Sequence, residues 1–226
     1  MYTSFFGLKE KPFSLIPDAD SIFFSSVHLA AYNMLEFGLL EQVGITVITG
    51  EVGAGKTTLI RHLLSRTDYD EITLGLISTP HDTYGSLLKW IVNAFRIETP
   101  SSDEGELLQV VQDFLIEESA NGKRTLVIVD EAQNMSKGDL ESLRLLTNIN
   151  ADKNQLLQVI LVGQPELLDK FYDPSMSQLA QRVSAEYRLS PLNLLESMSY
   201  VRYRIEAVGG PEDLFDPTSL MAVYYY

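Results

Sequence analysis

The stretch Gly50-Glu51-Val52-Gly53-Ala54-Gly55-Lys56-Thr57-Thr58 has the spacing G-x-x-x-x-G-K-T, which is typical of a loop that binds nucleotide phosphates. Such a loop points successive backbone N–H groups at negative oxygens, and glycine adopts the required conformations at little cost. The N-terminus of a following helix adds free N–H groups and a favourable dipole. We expect all nine residues to line the nucleotide, with Lys56 at the β- and γ-phosphates and Thr57 on Mg²⁺.

The sequence on either side of the loop agrees with this interpretation. The β-branched run Ile45-Thr46-Val47-Ile48-Thr49 precedes the loop and predicts a buried parallel strand. The run from Thr57 to Leu64 follows it and has apolar residues at helical spacing. The order strand, loop, helix is the context that the motif requires.

Apolar runs and helical patterns alternate along the rest of the chain. Strands are predicted over 72–78, 125–129, 158–163 and 185–189, and helices over 27–42, 83–95, 107–118 and 139–148. Because each strand is a continuous apolar run, we expect an α/β fold with a parallel sheet flanked by helices.

The chain divides into three parts by its sequence character. Residues 1–27 form a turn-rich arm, interrupted by Gly7, Pro12 and Pro17, that we expect to pack on the core. Residues 28–192 form the phosphate-binding domain. Residues 193–226 contain helical patterns over 194–208 and 218–226, which we interpret as the start of a small helical lid. Since the chain stops inside the second pattern, we expect a fragment of a longer protein.

The composition excludes several classes of protein. A formal charge of −14 repels phosphate backbones and disfavours general nucleic-acid binding. The chain has no cysteine, which fits a reducing compartment. It shows neither a signal peptide nor an apolar run of the ~18 residues that a membrane span needs. We therefore expect no membrane span, and a cytoplasmic protein.

Two acidic residues, Asp130 and Glu131, follow the apolar run Thr125–Val129. An acid at the end of a neighbouring strand is the usual partner of a phosphate-binding loop, and it binds Mg²⁺ directly or through water. We therefore expect Asp130 to bind the metal together with Thr57. Glu131 is then placed to polarise the water that attacks the γ-phosphate.

Other polar residues have less specific patterns. Gln164 follows the strand predicted over 158–163, where it either contacts the γ-phosphate or the attacking water, or bonds only to the local backbone. Arg182 has the residue chemistry of a phosphate ligand, but also of a solvated arginine at a helix end. Arg188 and Arg144 are alternatives.

The joint pattern resembles the ExeA/GspA-like AAA+ ATPases. The resemblance rests on the phosphate-binding loop and on residues 129–133, 143–148 and 161–167. It rests also on three N-terminal stretches, Phe5-Phe6-Gly7-Leu8, Lys11-Pro12-Phe13 and Pro17-Asp18. Members of this family serve general (type II) secretion, related pilus assembly and exosortase-linked polysaccharide export. The stretch 148–153 is most similar to the exosortase-linked group.

The resemblance implies an oligomeric AAA+ ATPase whose site is completed by a neighbouring subunit. It implies that Arg182 is the arginine finger acting in trans, and that Gln164 is the first sensor. Lys56 and Glu131 complete the predicted catalytic set, with ATP and Mg²⁺ as ligands. The resemblance also implies a partner in the inner membrane, and a position at the inner face of that membrane through segments beyond Tyr226.

Two other functions compete with an assembly ATPase for an envelope secretion or export system. One is a DNA-associated ATPase of the transposition type, against which the charge of −14 argues. The other is a nucleotide switch that does not hydrolyse ATP. Intact Lys56, Thr57, Asp130 and Glu131 argue against a switch.

Overall fold

A computed structural model describes residues 2–13, 22–67, 69–80, 85–151 and 154–225. Its centre is a five-stranded sheet with the strand order β2 (Ile72–Ile77), β3 (Arg124–Val129), β6 (Leu157–Gly163), β1 (Ile45–Gly50) and β7 (Val183–Leu189). Every pair of neighbouring strands in this sheet is parallel. The predicted α/β fold with a parallel sheet flanked by helices is therefore confirmed.

The described elements have the following bounds. The helices are α1 (Tyr2–Phe5), α2 (Ser26–Leu40), α3 (Lys56–Ser65), α4 (Leu87–Ala94), α5 (Glu104–Ala120), α6 (Lys137–Leu146), α7 (Glu166–Phe171), α8 (Ser177–Ala180), α9 (Leu194–Ala207) and α10 (Pro217–Tyr225). The strands are β1 (Ile45–Gly50), β2 (Ile72–Ile77), β3 (Arg124–Val129), β4 (Asn150–Ala151), β5 (Asn154–Gln155), β6 (Leu157–Gly163) and β7 (Val183–Leu189). None of these helices combines the length and the apolar character that crossing a membrane requires.

The sheet is buried on both faces because alternate strand residues point to opposite sides. Val47 and Val127 belong to one apolar cluster, which includes side chains of α4 to α8. Ile48 and Ile128 belong to a second cluster, which includes side chains of α2 and α3. Every residue of β1 and β6 is buried, so these two strands form the centre of the domain.

The structure differs from the sequence expectations at several element ends. The helix predicted over 83–95 begins only at Leu87, because Gly85 has a φ of +104° and Ser86 is extended; residues 83–84 lie outside the described residues. The helix predicted from 107 begins at Glu104, because the Asp103 carboxylate caps the N–H groups of the first turn. Strand β7 begins at Val183, where its pairing with β1 shifts register.

Five short α-helices and strands of the described residues were absent from the sequence predictions. They are α1, α7, α8 and the antiparallel pair β4–β5. Each has six residues or fewer, too few for a helical or alternating pattern to stand out from its surroundings. Part of the stretch 148–153, and the Pro17-Asp18 segment, lie outside the described residues.

Residues near the N-terminus contact α9, the first of the two lid helices (α9 and α10). The Lys9 N–H donates to the Val208 carbonyl at 2.9 Å. The Arg204 Nε–H donates to the Pro12 carbonyl at 2.7 Å. The aromatic ring of Phe24, by contrast, packs on α2 and α3. The arm thus touches both lid and core, and the division at residues 27 and 193 stays a prediction.

The carboxylate of Glu196 connects the lid to the start of α2. One of its oxygens accepts from the Asn193 N–H and caps α9, and the other accepts from the Ser26 backbone N–H and hydroxyl. These hydrogen bonds, led by that from Asn193, lower the pKa of Glu196. The ionised carboxylate therefore favours the observed contact between α9 and α2.

Asp139 is a buried carboxylate, 4% exposed, that caps two helices at once. Its Oδ2 accepts from the Ser136 backbone N–H and hydroxyl at the start of α6. Its Oδ1 accepts from the Leu87 N–H at 2.8 Å, at the start of α4, where Ser86 provides no side-chain cap. One side chain thus fixes the relative position of two helix N-termini.

We expect Asp139→Ala to lower the free energy of unfolding by about 2–4 kcal/mol, because it removes two caps and leaves buried donors unpaired. Asp139→Asn keeps one acceptor oxygen and should fall between the parent and the alanine variant. Urea unfolding measures both. Asp113→Ala, on the exposed side of α5, is the control and should stay within about 0.5 kcal/mol. Equal effects at the two positions would contradict the double-cap interpretation.

Candidate nucleotide-binding site

The loop between β1 and α3 has the geometry that its glycines allow. Gly55 has a left-handed φ of +85°, and a β-carbon there would lie 2.9 Å from Nε2 of His28. A β-carbon on Gly50 would lie 2.9 Å from the Leu189 carbonyl oxygen, because β7 passes directly alongside. Both positions therefore exclude a side chain. The Val52 side chain is 80% exposed, so only the backbone of Val52 faces the loop interior.

Lys56 is buried, and its ammonium lies over the loop rather than in solvent. It donates to the Gly50 carbonyl at 2.7 Å and to the Glu51 carbonyl at 2.9 Å. The positive charge is thereby held at the centre of the predicted phosphate cradle. An anion enclosed by this loop would meet the charge at short range.

Thr57 and Asp130 are in contact at the edge of the sheet, although they are 73 positions apart in the chain. The Thr57 hydroxyl donates to Asp130 Oδ2 at 3.0 Å. The other carboxylate oxygen, Oδ1, accepts from the Glu131 N–H at 2.9 Å. A hydroxyl beside a carboxylate is a set of hard oxygen ligands that suits Mg²⁺, which usually keeps several waters and binds through few protein groups. The predicted metal residues therefore fit that ion.

Glu131 adopts a left-handed backbone conformation, with φ +54° and ψ +36°. This region is uncommon for residues other than glycine and is found more often at functional sites. The conformation turns the chain sharply at the end of β3 and starts the short 3₁₀ turn Ala132–Asn134. Glu131 is thereby held at the edge of the sheet, next to the metal-binding residues.

Gln164 follows β6, and β6 lies between β1 and β3 in the sheet. Thr49 pairs with Gly163, so Gln164 stands beside the start of the phosphate-binding loop. Its backbone N–H donates to the Gln133 side chain at 3.0 Å. The strand register therefore places Gln164 at the same edge of the sheet as the phosphate-binding loop and Asp130.

The three arginines lie in different places. Arg182 donates to the Thr147 carbonyl at 3.1 Å and to the Asn148 side chain, at the C-terminal end of α6. Arg144 is paired with Glu141 on the exposed side of the same helix. Arg188 is exposed on β7, opposite Thr49. Of these, Arg188 is nearest to the loop in register.

Arg182 lies at the opposite end of the sheet from its own phosphate-binding loop. Val183 pairs with Ile45 at the start of β1, whereas the loop begins at Gly50 at the end of that strand. A strand rises about 3.3 Å per residue, so the two ends are roughly 17 Å apart. Arg182 is therefore not part of the site that its own chain forms.

Two residues with contacts at the site were not assigned a role from the sequence. His28, in the first turn of α2, is 8% exposed; its Nε2 lies 2.8 Å from the Ala54 carbonyl oxygen, and its Nδ1 lies 2.7 Å from the Ser25 hydroxyl. Since a carbonyl only accepts, Nε2 carries a proton and donates it to the Ala54 carbonyl. Gln133 contacts both Glu131 and Gln164. A lone histidine or glutamine gives no pattern in a single sequence.

Comparison with known proteins agrees with the geometry of the site. The AAA domain family matches residues 40–171, which include the phosphate-binding loop and the acidic pair. The chain belongs to the AAA family. The chain is also 41% identical over 225 residues to General secretion pathway protein A of Aeromonas hydrophila, which confirms the predicted resemblance to the ExeA/GspA-like group. That match covers 99% of this chain and 41% of the relative, so the chain spans less than half of that protein's length.

Solved structures support the same fold at low sequence identity. Cdc6p from Pyrobaculum aerophilum superposes with a TM-score of 0.69 at 19% identity, over 93% of this chain and 59% of that one. The ORC2 protein of Aeropyrum pernix, solved as ADPNP–ADP complexes, gives a TM-score of 0.61 at 19% identity, over 84% of this chain and 53% of that one. At these identities the likeness shows the AAA fold alone.

We expect His28→Ala to loosen the phosphate-binding loop, because the Ala54 carbonyl loses its donor. Amide hydrogen exchange at residues 51–56 should become about 10-fold faster, the effect of losing one hydrogen bond of ordinary strength. His28→Gln retains a side-chain N–H donor and should restore part of the protection. Unchanged exchange in His28→Ala would show that α2 does not hold the loop.

Proposed function

We propose that this AAA chain binds and hydrolyses ATP. The observation that carries the proposal is the contact of the Thr57 hydroxyl with the Asp130 carboxylate, beside a loop that holds the Lys56 ammonium at its centre. Phosphate, metal and acid functions thereby meet at one edge of the sheet. Membership of the AAA family supports a nucleotide-dependent activity in general.

Each residue of the site has its own role in the proposed binding and hydrolysis of ATP. Loop N–H groups and the N-terminus of α3 bind the phosphates, and Lys56 neutralises charge on the β- and γ-oxygens. Thr57 and Asp130 hold Mg²⁺, which supplies Lewis-acid stabilisation of the phosphate charge when bound. Glu131 accepts a proton from the attacking water, and Gln164 orients that water or the γ-phosphate.

We further propose that the active form is an oligomer. Arg182 lies at the far end of the sheet from its own loop, so a finger role requires a neighbouring copy. Its guanidinium is held by the end of α6, which fixes its position at the surface of the domain. An arginine supplied in trans accelerates phosphoryl transfer by about 10³–10⁵ where it acts.

The biological role that we propose is support for the assembly of an envelope secretion or export system. The 41% identity to General secretion pathway protein A supports a secretion role over a DNA-associated role, which the charge of −14 also opposes. We infer a partner in the inner membrane and a position at its cytoplasmic face. Pilus assembly and exosortase-linked polysaccharide export are the other systems that this group serves.

Lys56→Ala should weaken ATP·Mg²⁺ binding, because the charge at the β- and γ-phosphates is lost. Glu131→Gln should instead keep the parent affinity and lose turnover by about 10²–10⁴-fold. Calorimetry gives the affinities, and phosphate release gives the turnover. Full turnover in Glu131→Gln would assign the base to another residue. Tight ATP binding without hydrolysis in the parent chain would identify the nucleotide switch instead.

Mixing two inactive variants tests the role of Arg182. Arg182→Ala has an intact phosphate-binding loop, and Lys56→Ala has an intact arginine, so mixed interfaces should recover activity that neither variant shows alone. Activity per subunit of the parent should also rise with protein concentration. Lys137→Ala, a surface variant that keeps both Lys56 and Arg182, is the control. Its activity per subunit should equal that of the parent. A co-assembled mixture with no recovery would rule out action in trans.

A further inference from the structure

One side chain, that of Gln133, joins the end of β3 to the end of β6. Its Nε2 lies 2.6 Å from Glu131 Oε2, and its Oε1 lies 3.0 Å from the Gln164 backbone nitrogen. A backbone N–H can only donate, so the carbonyl oxygen of the amide must face Gln164. The amide NH₂ group must then face the carboxylate of Glu131. Both hydrogen bonds are therefore satisfied by a single orientation of the amide.

The surrounding structure holds Gln133 in this position. The Lys170 ammonium on α7 donates to the backbone carbonyls of Gln133 at 2.5 Å and Met135 at 2.6 Å, and so clamps the 3₁₀ turn. A β-carbon on Gly163 would lie 2.9 Å from Gln133 Oε1. The last residue of β6 thus leaves the space that the amide occupies.

We propose that Gln133 is a positioning residue for ATP hydrolysis, which fixes the Glu131 carboxylate against the end of β6. The role rests on the proposed function of Glu131 as the base. A carboxylate bound through one oxygen loses rotational freedom and presents its other oxygen in one direction. The same amide also accepts a hydrogen bond from the Gln164 backbone N–H. The orientation of the base is thereby coupled to the position of the sensor residue. Gln133 itself touches neither substrate nor metal in this role.

Three variants test the proposal. Gln133→Met removes both hydrogen bonds at similar volume. Gln133→Glu keeps the acceptor for Gln164 and replaces the donor with a second carboxylate beside Glu131. Gly163→Ala leaves Gln133 unchanged and places a methyl group against its Oε1. Since a hydrogen bond to a charged group is lost in the first two, we expect kcat to fall about 10- to 100-fold, with a smaller fall in Gly163→Ala.

The binding of ATP·Mg²⁺ separates positioning from general damage. The dissociation constant by calorimetry and the KM should stay within about twofold of the parent in all three variants, because the phosphate-binding loop is untouched. Gln112→Glu, on α5 outside the site, is the control and should leave kcat, KM and the melting temperature unchanged.

A double-mutant cycle gives the decisive result. In the Glu131→Gln background, Gln133→Met should reduce kcat by less than about twofold, because the carboxylate that it positions is already gone. A full multiplicative loss in that background would overturn the proposal, as would a parent-like kcat in Gln133→Met. If the parent chain hydrolyses no ATP, the proposed function fails, and the positioning role fails with it.

Discussion

The position of β6 between β1 and β3 is the constraint on which the site depends. Parallel pairing aligns the carboxyl ends of the three strands, so the loop after β1 and the acids after β3 face each other across Gln164. The pairing is stable because the central strands are buried on both faces by two separate apolar clusters. The contact between Thr57 and Asp130 is thus a result of strand order rather than of local sequence.

Polar contacts at this edge fix conformations that the backbone would otherwise disfavour. Glu131 has a left-handed φ of +54°, and the groups around it account for its persistence. Asp130 accepts its N–H, Gln133 donates to its side chain, and Lys170 holds the turn that follows. Strain of this kind survives only where neighbouring groups over-determine the geometry. The conformation of Glu131 is therefore supported by contacts within the chain itself.

The sequence was sufficient for those parts of the fold that repeat a pattern. Buried strands, long helices and the loop from Gly50 to Thr58 each carry a local signature, and the two acids were found because they directly follow the apolar run that ends at Val129. Contacts between distant segments carry no such signature. Neither the Ala54 carbonyl beside His28 nor the Asp139 cap on α4 could be inferred, because each depends on how two segments distant in the chain pack together. Gln133 was missed because its role depends on the orientation of one side chain.

The hydrogen bond between Arg204 and Pro12 joins residues 192 positions apart, and that between Ser26 and Glu196 spans 170 positions. This separation affects the order of events during synthesis. The segment around Pro12 leaves the ribosome long before its partner helix, and at about 5–20 residues per second it waits roughly 10–40 s for that helix. Contacts between residues so far apart in the chain close late and slow the final folding step. Throughout that interval Phe13 and Phe23, whose rings pack against Tyr200 on α9, remain available to chaperones or to other nascent chains.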